Sequence, residues 1–138
     1  MLHVLLAAIL FAEPPGPPAE MPPPGRCVKD SGRRYHLDGD ARATLEAKGE
    51  SAVSAWMRVV PNFQKGRVQG MKLFDIAPGS FGDSCGLRTN DIVLKLNGVA
   101  LNSVEDMIDA PSVVRAKGRA DLLVQRAGRR IKMTIMPR

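Results

Sequence analysis

Along the second half of the chain, hydrophobic and polar positions fall into two periods. Ile131, Met133 and Ile135 alternate with Arg130, Lys132 and Thr134, the period-two pattern of a half-buried strand. Residues 92–96 are an almost unbroken apolar run and predict a more deeply buried strand. Asn97-Gly98 behind them is a strong hairpin signal. Residues 71–76, bounded by Gly70 and Pro78-Gly79, predict a further strand, as do residues 120–126, turned by Ala127-Gly128. Arg126, Arg129, Arg130 and Lys132 read as the wet face of that last hairpin. Residues 59–63 predict a strand that is an edge or carries a bulge, because Pro61 has no N–H to give.

Helical spacing takes over in three places. After Gly39 or Asp40, the positions Ala41, Leu45, Ala52, Val53 and Trp56 follow a ragged helical period, weakened at Gly49 by about 1 kcal/mol relative to alanine. Trp56 is expected to pack on the domain. Ser80 followed by Asp83 fits a capping box. Gly86 then stops the short helix, with Leu87 folding back on its last turn. Asn90-Asp91 makes a turn, where asparagine tolerates positive φ. Ser103 and Asp106 repeat the capping pattern, predicting a helix over 104–110 with Val104, Met107 and Ile108 on one face. Pro111 is expected to kink or end it.

The N-terminal quarter differs in kind. Residues 4–12 are nine apolar residues, too few for a membrane span of about 20 and suited to a secretory signal core or a short anchor. Residues 13–32 open with a proline-rich run that suits an extended tether. The expected division is a leader over 1–12, a linker over 13–32, a lead-in strand and helix over 33–58, and the main domain over 59–138.

Composition adds little except charge. The chain has 138 residues, of which 44% are hydrophobic and 4% aromatic, so the core is aliphatic. Twenty Lys and Arg against 14 Asp and Glu leave a net +6, read as a solvated basic surface. No basic run is interleaved with aromatics, so nucleic acid is not an expected partner. Cys27 and Cys85 allow a disulfide if the chain is exported. The core-like setting of Cys85 before Gly86 favours instead a buried thiol there and a separate Cys27. Two cysteines support no metal site.

The order Pro78-Gly79-Ser80, Gly86-Leu87, Asp91-Ile92-Val93 and Leu96-Asn97-Gly98, preceded by Val59-Val60-Pro61, Gly70 and Lys72-Leu73-Phe74-Asp75-Ile76, resembles a PDZ domain. In particular it resembles the PDZ domain of protein C of the bacterial type II secretion system. Tyr35, Leu37 and Asp38 stand where that family has a short tyrosine-led strand before a helix. The resemblance implies an α+β, PDZ-like fold: a small twisted antiparallel sheet or partial barrel with two helices, preceded by a lead-in helix. It also implies that residues 68–71 form the loop whose amides receive a peptide carboxylate.

A PDZ-like fold places a peptide groove between strand 71–76 and helix 104–110. A partner in extended form would add a strand to 71–76. The expected peptide-binding residues are Gly70, Met71, Lys72, Leu73 and Phe74 on the strand side, with Val104, Met107 and Ile108 on the helix side. Lys72 is the residue expected to attract an acidic partner. The implied function is a non-catalytic protein- and peptide-binding module, with no cofactor. It would be periplasmic or associated with the inner membrane, tethered at its N-terminus, and would recruit exported proteins or contact secretion machinery. No H-E-x-x-H occurs, and neither His3 nor His36 lies in the groove stretch. The alternatives are a regulatory subunit or adaptor for a periplasmic protease, and a tethered adaptor that dimerises through the edge near Pro61.

Overall fold

The computed structural model describes residues 25–137, so the leader and the proline run of the linker lie outside the described residues. Eight strands form one sheet. They are β1 (Cys27–Ser31), β2 (Arg34–Leu37), β3 (Arg58–Gln64), β4 (Arg67–Phe74), β5 (Ile92–Leu96), β6 (Val99–Ala100), β7 (Ala120–Arg126) and β8 (Arg129–Met136). The order across the sheet is β1-β2-β8-β7-β5-β4-β3, with β6 beside β5. Helices α1 (Gly39–Lys48), α2 (Glu50–Trp56), α3 (Phe81–Ser84) and α4 (Val104–Lys117) fill the connections.

The local signals act where the residues predict. Ser80 Oγ accepts from the Asp83 amide and Ser103 Oγ from the Asp106 amide, capping α3 and α4. The reciprocal carboxylates each reach one residue further back than a standard box, to the amides of Gly79 and Asn102 at 2.8 and 2.9 Å. Asn97 and Gly98 have φ of 52° and 82°, as a type I′ hairpin turn requires. Asp38 caps α1 by accepting from the Ala41 amide at 2.7 Å.

Several expectations need correcting. Cys27–Ser31 is a strand paired to β2, not linker. The single lead-in helix is two, broken at Gly49, where φ is 57°. The sheet is not wholly antiparallel, because β2 pairs with β8 in parallel. Pro111 neither ends nor confines the second main helix: α4 runs on to Lys117. Proline there forfeits the bond to the Met107 carbonyl, yet the helix continues to a left-handed cap at Gly118. Asn97 helps hold that far half, its side-chain amide donating to the carbonyls of Val113 and Arg119.

The core lies on one face of the sheet, under α1 to α4. Met71, Leu73, Val93, Val124 and Met133 come from the strands, and Trp56, Phe81 and Leu87 from the helices and turns. Trp56 stacks on Phe81 with centroids 3.9 Å apart. Each such side chain contributes about 1.5–3 kcal/mol by leaving water. Cys27 and Cys85 form a disulfide, against the thiols favoured from sequence. The buried setting expected of Cys85 holds, but Cys27 is buried too, because β1 carries it onto α3. The Cys27 amide also donates to Ser84 Oγ at 2.9 Å.

Arg126 is not on the wet face. Its guanidinium turns inward and grips both carboxylate oxygens of Asp91 at 2.9 and 2.7 Å, and donates to the Gly86 carbonyl at 2.7 Å. Asp91 is almost fully buried and also accepts from the Arg88 amide. Its hydrogen bond holds the guanidinium pKa above the ordinary arginine value. The pair locks the start of β5 to the end of β7 and to the exit of α3. Among the described residues no helix is long and apolar enough to cross a membrane.

Candidate functional site: an open sheet edge beside the long helix

Strand β4 cannot receive a partner strand, because both its edges are paired. Val59, Val60 and Pro61 of β3 face Leu73, Lys72 and Met71 on one side. Val93 and Ile92 of β5 face Met71 and Lys72 on the other. This corrects the sequence reading of the groove: Gly70–Phe74 is an interior strand. Met71 and Leu73 are 2% and 3% exposed and belong to the core. Lys72 and Phe74 lie together on the opposite face, with the ammonium 5.5 Å from the ring centroid, a cation–π pair.

Gly70 serves packing rather than a carboxylate loop. Its φ is 82°, and a Cβ there would stand 2.7 Å from Ile92 Cγ2 and from the Val93 carbonyl. Its amide donates to the Leu101 carbonyl at 2.8 Å. Residues 68–71 lie within β4.

Of the two end strands in the sheet order, β1 and β3, it is β3 that lies next to β4 and presents an edge on this side. Alternation fixes which of its groups are available. The Leu73 amide and carbonyl are both used on the β5 side, by Asp91 and Asn90. Leu73 faces Val59, so this is a non-hydrogen-bonded pair, and the Val59 N–H and C=O point away from β4. Pro61, two residues on, occupies the same outward position. Its missing N–H costs the sheet nothing there, and the register shifts just beyond it, between Pro61 and Phe63. Proline was thus read correctly as an edge and bulge marker.

Beside the start of this edge lies a cleft of about 440 Å³. Trp56, Met57, Arg58 and Val59 line it from α2 and β3, Asp75 from the end of β4, and Met107 from α4. Asp75 has φ of 60°, a turn that ends β4 and lifts its side chain to the rim. Of the helix residues expected in the groove, Met107 alone lines the cleft. It also packs on the core with Ala110 and Val114. Val104 and Ile108 lie on a neighbouring stripe of α4, 47% and 63% exposed. Arg58, Val59 and Asp75 were missed as site residues; Pro61 was the signal that could have pointed to them.

Gly82-Asp83-Ser84-Cys85-Gly86 spells G-x-S-x-G, a nucleophile pattern when the serine sits on a strand-to-helix turn. Here it does not. Ser84 ends α3, and its Oγ donates to the Phe81 carbonyl and accepts from the Cys27 amide, while Cys85 is in the disulfide. Among the described residues no group of three or more His, Cys, Asp or Glu side chains is placed to hold a metal ion.

No protein-family model matches the chain. Over 68 residues it is 28% identical to serine protease HTR4 of Bos taurus, a match covering 49% of this chain and 13% of that protein. Among solved structures, it superposes on the PDZ domain of EpsC from Vibrio cholerae with a TM-score of 0.56, at 20% identity, over 69% of this chain and 90% of that one. The PDZ domain of the pullulanase C protein of the Klebsiella pneumoniae type II secretion system, solved with a fatty acid, gives 0.46 at 18% identity, over 67% and 95%. The described part of this chain has the α+β fold of a PDZ domain, and it resembles in that fold the PDZ domain of type II secretion protein C.

Proposed function

We propose that this chain is a non-catalytic protein- and peptide-binding module of a type II secretion apparatus. It works in the periplasm, or at the inner membrane facing it, and takes exported proteins or machinery components as partners. The observation that carries the reading is the outward-pointing Val59 amide and carbonyl beside the Met107 cleft. An extended segment laid against β3 gains both bonds at Val59, and then only the carbonyl at Pro61. Each bond is worth about 0.5–1.5 kcal/mol net, so binding through so short a ladder is weak and relies on a side chain in the cleft. The Cys27–Cys85 disulfide supports an oxidising compartment.

The test uses Val59→Pro, which deletes the outward amide and no sheet bond. The full chain is titrated with extended peptides copied from exported proteins, and amide shifts are followed by NMR. Val59 and Met107 should shift, and V59P should weaken binding about two- to tenfold. Unchanged affinity in V59P, with shifts mapping elsewhere, overturns the proposal. A second reading, an adaptor for a periplasmic protease, rests on the 68-residue likeness to a serine protease. Co-purification of a protease rather than secretion components would favour it.

A further inference from the structure

At the other end of the sheet, away from β3, is a second cleft of about 710 Å³. It is built from the β1–β2 hairpin, the exit of α3 and β8. Lys29, Arg33, Arg34, Arg88 and Lys132 line it, with Asp83 the one carboxylate. Arg126 also lines it, but its charge is taken by Asp91. Asp83 is committed to the Gly79 amide. The Arg34 guanidinium donates to the Met136 sulfur at 3.7 Å. Among the described residues none of the five other cations has a carboxylate partner within ion-pair distance.

Five like charges round one concavity repel one another, and an anion seated between them relieves that repulsion. They converge from three separate elements: the hairpin brings Lys29, Arg33 and Arg34, the turn after α3 brings Arg88, and β8 brings Lys132. Convergence favours a compact, multiply charged group over an extended acidic peptide, whose single charges are spread along a line. Arginine forks and a lysine point charge match phosphate oxygens. We propose that this cleft binds a phosphate-bearing anion, supplied either by the headgroup of an anionic membrane lipid or by a free polyphosphate.

The test compares two double variants of the full chain with the same change in charge: R33E/R88E inside the cleft, and R129E/R130E on the exposed β7–β8 tip outside it. Each is titrated with sodium tripolyphosphate, with vesicles of phosphatidylglycerol in phosphatidylcholine against phosphatidylcholine alone, and with polyglutamate. Melting temperatures confirm that both variants fold. R33E/R88E should weaken phosphate binding at least about tenfold and R129E/R130E by less than about twofold. That ratio with tripolyphosphate assigns a free anion; the same ratio with anionic vesicles only assigns a lipid headgroup. Equal weakening by both variants means that net charge alone is responsible and overturns the proposal. So does failure to bind either phosphate source, or tighter binding of polyglutamate than of both.

Discussion

Opening the Cys27–Cys85 bond should bring the domain close to unfolding. The bridge closes a segment with a sequence separation of 58 residues. On the chain-entropy account, a loop of that size costs the unfolded chain about 4 kcal/mol that the cross-link removes. Domains of this size are stable by about 5–15 kcal/mol, so the loss is a large share of the total. β1 has little else to hold it: its pairing to β2, the side-chain contact of Asp30 with His36 and one amide bond to Ser84. The assay is guanidinium unfolding of the full chain, oxidised and then reduced with a non-thiol reductant. The midpoint should fall by about 1 M. Coincident oxidised and reduced transitions would refute the reasoning, as would two free thiols in the full chain isolated without reductant.

Two further outcomes follow from the ion pairs. Arg126→Met leaves the buried Asp91 carboxylate with the Arg88 amide and should cost about 3 kcal/mol in urea unfolding, with Asp91→Asn in the same chain recovering part of it. Asp121 has its carboxyl pKa lowered, first by its hydrogen bond from Lys117 and then by those of Thr134 and the charge of Arg119. A depressed carboxyl stabilises the fold above its unfolded value of about 4, and that contribution is lost as pH falls through the folded value. Asp121→Asn should therefore flatten the acid side of the stability profile between pH 6 and pH 3, read from urea midpoints; an unchanged slope would count against it.

What the sequence made legible was local. Ser80, Ser103, Gly86, Asn90 and the turn backbone of Asn97-Gly98 each act within five residues, and each does what its chemistry predicts. What it concealed depends on neighbours far along the chain. Residues 71–76 look like an accessible strand because nothing nearby shows that β3 and β5 will cover both sides. Arg126 looks solvated because its partner Asp91 is 35 residues away. Cys27 looks like linker because β1 exists only through β2. Pro61 is the exception: a missing donor is a local fact that reports a position in the whole sheet.

The parallel pairing of β2 with β8 has a consequence for how the molecule is made. Arg34, Tyr35 and His36 find their partners at Thr134, Ile135 and Met136. A growing chain therefore cannot close this sheet until those last residues are in hand. The closing event spans almost the whole domain, and such distant contacts form slowly. Until then the sheet stands open, and β8 acts as its clasp.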